Sequence, residues 1–331
     1  MNILVTGGAG YIGSHTCLAL KDAGHKVVVL DTLERGHKSA ITADTFIQGN
    51  ISDSDLVENI LLNNRVDIVL HFSAYAYVEE SVKEPAKYFK NNVSATLRLL
   101  DAMIKCRVLK FVFSSSCATY GIPDKLPITE DTLQIPVNPY GFTKLAVERA
   151  LEAYHHAYGL SYVALRYFNA AGADAQCRAG EDHRPETHVI PLLLNAAFDG
   201  TSTFKVYGTD YDTPDGSCIR DYIHVSDLAD AHERSVEIIR DNLMSLKLNL
   251  GTGHGYSVLE LIEATKKVTG RIINVDINER RMGDPPVLVA SCDRAYEILN
   301  WKPKYSDLDN IIETALKWKL ANPKGYEDES K

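Results

Sequence analysis

Apolar residues come in short, nearly unbroken runs through the first half of the chain, at 3–6, 27–31, 46–51, 66–72, 108–114 and 162–167. Runs of this length predict strands. Between them, apolar positions recur at helical spacing near 13–23, 53–63, 86–106 and 141–158. Gly24 follows the first helix, where a left-handed residue would stop it. The strands are apolar throughout rather than alternating, so both faces of their sheet are buried. Strand-helix alternation of this kind predicts an α/β fold, a Rossmann-type doubly wound parallel sheet. Such sheets bind ligands beyond the carboxyl ends of their strands.

The rhythm breaks after about residue 170. Residues 171–188 are charged and hold Gly and Pro without periodicity, which predicts a loop. A helix is predicted at 190–198. The stretch 207–220 is turn-rich, with Gly208, Pro214 and Gly216. Another helix is predicted at 257–269, with Leu259, Ile262 and Val268 on its inner face. The reading is two domains: residues 1–170 form the sheet, and 171–331 mainly a smaller α/β unit. The chain is expected to recross to the first near 221–250. The polar tail after Pro323 is expected to fray.

The chain has 331 residues, 45% apolar and 24% charged, the make-up of an ordinary soluble protein. No apolar run approaches the ~20 residues of a membrane span, so no membrane partner is expected. Residues 2–6 already read as strand, leaving no room for a signal peptide. The six cysteines are scattered without Cys-x-x-Cys, fitting neither a zinc site nor a disulfide framework. No metal is expected, and a reducing cytoplasm suits these thiols. A net charge of −9 repels nucleic acid. An anionic small substrate would need local arginines.

Chemistry enters first at Thr6-Gly7-Gly8-Ala9-Gly10-Tyr11-Ile12-Gly13, which follows the first strand and opens the first helix. Gly7, Gly10 and Gly13 permit a tight turn, a close backbone approach to a pyrophosphate, and tight helix-strand packing. The N–H groups at Tyr11 and Ile12 would face the phosphates. Asp31 ends the second strand, where an acid bonds an adenosine ribose diol. Its charge would repel a 2′-phosphate, which favours NAD over NADP. Arg35 is the one counter-signal and reads as a solvated loop residue. Later strand ends are expected to complete the pocket: Asn50 and Ile51, Phe72, Ser73 and Ala74, and Asn91 on the next helix.

Tyr140 and Lys144 stand one helical turn apart, and none of the other 16 tyrosines has a lysine four positions on. A phenol titrates at about 10, too high for a base at neutral pH. A nearby lysine and a positive nicotinamide would favour phenolate and lower that value. Tyr140 could then take a proton from a substrate hydroxyl as hydride leaves the same carbon. Ser116, closing Ser114-Ser115-Ser116 at the end of a strand, could hydrogen-bond that hydroxyl, or simply cap the strand end.

With these residues in view, the chain resembles the extended short-chain dehydrogenase/reductases, and specifically the UDP-glucose 4-epimerase family. The likeness runs from Gly7 to about Tyr326. It is carried by Gly-Gly-Ala-Gly-Tyr-Ile-Gly-Ser-His (7–15), Ser-Ser-Ser-Cys-Ala-Thr-Tyr-Gly (114–121) and Asn-Pro-Tyr-Gly (138–141). More specific are Leu-Arg-Tyr-Phe-Asn-Ala-Ala-Gly (165–172), Arg-Asp-Tyr-Ile-His-Val (220–225) and Arg-Arg-Met-Gly-Asp (280–284). The resemblance implies transient oxidation of a UDP-hexose at C4 with resident NAD, and return of hydride to the opposite face. It places Phe168 with Ser116, Tyr140 and Lys144 at the cofactor. It maps Asn169, Arg220, Tyr222, Arg281 and Asp284 around the UDP moiety, with His188, Val189, Lys205, Val206 and Tyr207 beside them. Two arginines there would neutralise a diphosphate in an acidic protein. Unaided, Arg220 and Arg281 read equally well as surface residues. The resemblance also implies a homodimer through the helices near 86–106 and 141–158, with Leu97, Leu100, Leu145 and Leu151 as candidate contacts.

Three positions depart from the family pattern. Ser73-Ala74-Tyr75-Ala76 stands where Ala-Gly-Leu-Lys is frequent, so a lysine contact to the cofactor is missing at Ala76. His188 replaces a frequent asparagine. Leu288 stands where some relatives restrict the sugar pocket with tyrosine, which leaves N-acetylated UDP-hexoses open as substrates. UDP-arabinose/UDP-xylose epimerisation is the alternative. A nucleotide-sugar 4,6-dehydratase would need an Asp-Glu pair where Cys117 and Ala118 stand. A non-catalytic NAD-binding protein would have no use for Ser116, Tyr140 and Lys144 together.

Overall fold

The computed structural model describes residues 1–199, 202–240, 242–281 and 284–327. Its first half runs β1 (Asn2–Thr6), α1 (Tyr11–Asp22), β2 (Lys26–Asp31), β3 (Thr45–Gln48), α2 (Ser54–Asn63), β4 (Ile68–His71), α3 (Val78–Lys83) and α4 (Pro85–Tyr88). A π-helical turn, Phe89–Ser94, leads into α5 (Ala95–Lys105), then β5 (Lys110–Ser116), α6 (Pro139–Tyr158) and β6 (Ser161–Tyr167). The second half runs β7 (Asn169–Ala171), α7 (Val189–Asp199), β8 (Thr203–Tyr207), β9 (Ile219–Arg220), β10 (Tyr222–His224), α8 (Val225–Ile239) and β11 (Ser245–Leu250). It closes with β12 (Tyr256–Ser257), α9 (Val258–Thr269), β13 (Asn274–Asn278), β14 (Val287–Leu288), α10 (Asp293–Leu299) and α11 (Leu308–Ala321).

Seven strands form one parallel sheet in the order β3-β2-β1-β4-β5-β6-β11. The fold is a doubly wound Rossmann sheet. The strand order reverses between β1 and β4, which pair Thr6 with His71 at their carboxyl ends. A ligand crevice belongs at that switch point.

The apolar runs explain the layers. Alternate residues of one strand enter opposite cores: Ile3 and Val5 join α1 and α8, whereas Leu4 joins α2, α5 and α6. Gly24 has φ +81° and Gly159 φ +71°, so both are left-handed helix stops. The expected strand at 46–51 is shorter, ending at Gln48, because the chain enters a turn closed by Asp53 N on the Asn50 carbonyl. The helix expected at 86–106 is broken by the π-helical turn, and α3 precedes it unforeseen.

A third core, built by α7, α9, α11 and β8, holds Leu193, Val206, Leu261 and Ile312. The inner face of α9 includes Ile262, Leu259 and Val268 as expected, and also the fully buried Leu261. The tail does not fray over the described residues. Tyr326 is buried, stacks on His37 at 4.9 Å and receives the Gly180 N–H at 3.0 Å. Residues 328–331, part of the expected fray, lie outside the described residues.

Candidate functional site at the sheet switch point

Three glycines shape the turn after β1, each for a different reason. Gly7 has φ +75°, and a Cβ there would meet Ser73 N at 2.6 Å. A Cβ on Gly13 would meet the Gly7 carbonyl oxygen at 2.2 Å, so its absence lets α1 close onto the turn. Gly10 differs. A Cβ there would have only the Gly7 oxygen near it, at an ordinary 3.4 Å. The protein itself gives no steric reason for glycine at this position, yet Gly10 lines the cleft. A ligand lying against the backbone there would supply one.

The cleft has a volume of about 120 Å³. Gly7 and Gly10 form its floor and Asp31 one wall. Asn50, Ile51, Phe72, Ser73, Ala74 and Asn91 line it as expected. Asp31 is nearly buried, and its two carboxylate oxygens receive Ala9 N at 3.0 Å and Leu33 N at 2.8 Å. The acid is thereby fixed to the glycine turn. Tyr11 donates its hydroxyl to the Gly172 carbonyl at 2.6 Å, and Ile12 packs into the core beneath, so neither side chain points at a ligand. Only their backbone at the head of α1 is available to one.

Arg35 corrects an expectation, since it is not a solvated loop residue. Its guanidinium meets Glu80 at 3.1 Å and lies 5.0 Å from the Tyr77 ring centre. Asn92 was missed altogether. Its amide exchanges two 2.9 Å hydrogen bonds with the Tyr75 backbone and donates to Thr143 Oγ1 at 3.2 Å. This clamps the loop after β4 to α6. Only its position inside the π-helical turn, a feature sequence does not announce, directs it there.

Ser116, Tyr140 and Lys144 meet where β5 ends and α6 begins, beside the residues that line the cleft rather than among them. Asn138 caps α6 by accepting Gly141 N–H at 2.9 Å, and Pro139 starts the helix. A Cβ on Gly141 would meet the Ala118 carbonyl oxygen at 2.4 Å, so glycine lets α6 dock on the turn after β5. Ser116 caps the strand end, its Oγ accepting the Ala118 N–H at 3.2 Å, and its hydroxyl also hydrogen-bonds the Tyr140 phenol.

The electrostatics also correct an expectation. Burial pushes the Tyr140 phenol up to about 12, opposed by the Ser116 hydroxyl. Burial also pulls Lys144 down to about 7, opposed by Glu148. Lys144 Nζ donates to the Ser114 carbonyl at 2.7 Å and sits 5.8 Å from the Tyr140 ring centre. In the chain alone desolvation outweighs their mutual influence. Lowering the phenol would therefore take an added positive charge in the cleft.

Behind this group lies an ion pair that sequence reading missed. Arg166 and Glu148, 1% and 0% exposed, make two parallel hydrogen bonds of 2.6 and 2.9 Å. Ser115 donates to the same carboxylate at 2.5 Å, and Arg166 reaches Tyr120 at 2.8 Å. Glu148 stands one helical turn beyond Lys144, the only trace of this in the sequence.

Of the remaining residues, Phe168 and Asn169 follow directly on β6, and the others lie on β8 to β10, at or just before the start of α7, and on the loop before β14. Phe168 is buried and hydrogen-bonds Leu250. Asn169 holds the Asp221 carbonyl through its backbone at 3.0 Å and its side chain at 3.1 Å. Arg220 pairs with Asp284, and the Arg281 guanidinium carbon lies 4.0 Å from the Tyr207 ring centre. Arg220 is mostly buried, whereas Arg281 is exposed. Tyr222 is buried in the third core. Val206 points into that same core, Lys205 points to solvent, and Val189 opens α7. Val206 can therefore meet a ligand only through its backbone. His188 contacts Glu181; burial alone would lower its imidazole, but that carboxylate raises it. Asp221 was missed: fully buried, it receives N–H bonds from Thr252, Gly253 and Ala290.

Comparison with known proteins follows this geometry. Residues 3–251 match the NAD dependent epimerase/dehydratase family. A UDP-glucose 4-epimerase of Halalkalibacterium halodurans is 50% identical over 331 residues, covering 100% of this chain and 99% of its own. The crystal structure of UDP-glucose 4-epimerase from Brucella ovis in complex with NAD has a TM-score of 0.93 at 50% identity, covering 96% of this chain and 97% of the other. That of the Bifidobacterium longum enzyme in complex with NAD+ and UDP has a TM-score of 0.93 at 38% identity, covering 98% and 100%. The chain therefore belongs to the UDP-glucose 4-epimerase family, within the NAD-dependent epimerases and dehydratases.

Proposed function

We propose that the protein interconverts UDP-galactose and UDP-glucose, as an NAD-dependent isomerase. The observation that carries this is the meeting of Ser116, Tyr140 and Lys144 at the end of β5 and the start of α6, on the same sheet whose switch-point cleft is lined by Gly10 and Asp31. The residues present fit NAD: Gly10 leaves room for a pyrophosphate, and Asp31 offers a carboxylate where a ribose diol would lie. The turn Gly7–Gly13 would hold the phosphates through backbone N–H groups at the head of α1. Bound NAD supplies a hydride acceptor and donor, so net redox over a cycle is zero.

The chain's own residues handle the proton and the orientation. Ser116 aligns the C4 hydroxyl, and Tyr140 accepts its proton and later returns it. Lys144, fixed to the Ser114 carbonyl, holds its ammonium beside the phenol and favours the charged form. Arg220 and Arg281 offer two positive charges for a diphosphate, with Asp284 orienting Arg220. Residues 1–170, with 221–250, serve the cofactor, and 171–220 with 251–327 serve mainly the UDP-sugar. Leu288 sits beside Arg220 in register, half-buried. Its small side chain leaves width for a 2-acetamido group, so N-acetylated UDP-hexoses are accepted as well.

We also propose a homodimer in a cytosolic setting. Leu100 and Leu151 are fully buried against the sheet and are not the contacts. The half-buried Leu97 and Leu145, with exposed Phe89 and Tyr158, remain available on the outer faces. Among the described residues no helix is long and apolar enough to cross a membrane. The deciding experiment denatures the purified protein and identifies the released nucleotide. NAD supports the reading. NADP, or no nucleotide with strict dependence on free NAD, points to an ordinary dehydrogenase.

A further inference from the structure

Outside the cleft, four side chains gather on the loop that leads into α7: Glu181, His183, Glu186 and His188. One ligand atom from each, two imidazole nitrogens and two carboxylate oxygens, lies within 4.8 Å of all the others. His183 Nδ1 is 3.1 Å from Glu181 Oε1 and 3.7 Å from Glu186 Oε1. His188 Nδ1 contacts the same Glu181 oxygen. Ligands at about 2.1 Å around a tetrahedral ion stand roughly 3.4 Å apart. The two His183 spacings bracket that figure, whereas His188 Nδ1 stands closer to Glu181 and would have to move apart around an ion.

A second observation points the same way. His183 Nδ1 is shut off from solvent and lies between the two carboxylates, near both but with no aligned hydrogen bond to either among the described residues. A cation placed among the four groups would take this nitrogen as a ligand and relieve the repulsion between the two carboxylates. The rings are also held in place. His183 is edge-on to Tyr11 at 6.2 Å and to Tyr77 at 6.0 Å, and its ring centre is 4.9 Å from that of His188. Glu186 Oε1 accepts the N–H of Thr187 at 2.7 Å and of His188 at 2.8 Å, fixing that carboxylate just ahead of α7.

We propose that Glu181, His183, Glu186 and His188 bind one divalent cation of the zinc class. Two imidazoles exclude a calcium or magnesium preference, since those ions take oxygen ligands. The absence of thiolates and the mixed nitrogen-oxygen set suit zinc or a neighbouring first-row ion. Four protein ligands complete its shell, so the role is structural. The ion ties the 181–188 loop, and with it the start of α7, to Tyr11 at the head of α1 and to Tyr77 beyond β4. A search of the sequence for cysteine spacing could not find this site, because it uses none. His188 is also a candidate UDP-sugar contact, so the test below reads metal binding and thermal stability rather than turnover.

The test uses the full chain, stripped with chelator and dialysed, then titrated with zinc by calorimetry and with cobalt(II) by visible absorption. Expected are one equivalent of zinc per chain and the visible bands of a four-coordinate cobalt site free of sulfur. Losing a ligand should weaken zinc by at least about 100-fold, beyond the 10–100-fold typical of outer-shell changes. His183→Gln and Glu186→Gln should both do so, and zinc should raise the melting temperature of the wild type but of neither variant. If one variant fails to fold, the other and the wild-type cobalt spectrum still decide. No stoichiometric zinc, affinity unchanged in the variants, or a thiolate-to-cobalt band would each overturn the proposal.

Discussion

Tyr140 is the one residue whose loss should stop the chemistry while leaving binding in place. Tyr140→Phe removes the proton acceptor alone, so turnover of UDP-galactose should fall roughly 100-fold or more, with nucleotide content unchanged. Near wild-type turnover would refute the assignment. Lys144 makes a different prediction, about stability. Its ordinary value of 10.5 falls to about 7 in the folded chain. Between those values the unfolded chain binds the extra proton, so stability rises with pH there. The cost of burying the ammonium is fully present below pH 7 and fades as pH approaches 10.5. Wild type should therefore gain on Lys144→Met in urea midpoint between about pH 6.5 and about pH 9.5. An unchanged gap would mean that Lys144 stays charged when buried. Leu288→Tyr should suppress turnover of UDP-N-acetylglucosamine while sparing UDP-glucose, because the added bulk meets only the acetamido group. Equal loss on both, measured by paired kinetics, would remove Leu288 as the gate.

Elements differ in how plainly they announce themselves. The glycine turn, Asp31 at a strand end, and Tyr140 with Lys144 were legible because their chemistry is local: a few neighbours fix each geometry. The α8 helix went unread because its buried face is weakly apolar, carrying Asp227, His232 and Ser235 beside Leu228, Val236 and Ile239. Its helical character comes from packing on α1 and β6, which no window of sequence contains. The Glu148–Arg166 pair was hidden for the same reason, joining α6 to β6, an interior strand of the sheet. Removing one partner leaves a buried charge unpaired. Glu148→Gln or Arg166→Met should each cost about 3–5 kcal/mol, and the double variant should recover much of that. Urea unfolding of the four proteins checks this. Additive losses would show that the two side chains do not act as a pair.

At the scale of the whole molecule, sheet order and cofactor crevice follow from the strand-helix alternation, whereas the UDP side does not. Arg220 and Asp284 lie 64 positions apart and meet only because β9 and β14 pair. Lys205 and Val206, adjacent in sequence, face opposite ways because β8 is half-buried. Assembly is a separate matter: light scattering at micromolar concentration should report about twice 36.7 kDa. A clean monomer would contradict the dimer without touching the reaction.

The central claim is tested most directly with UDP-galactose deuterated at C4 and purified protein to which no NAD is added. The account predicts UDP-glucose with the deuterium still at C4, since hydrogen leaves and returns within one closed site. Absence of UDP-glucose, loss of the label to solvent, or a 4-keto-6-deoxy product would contradict it.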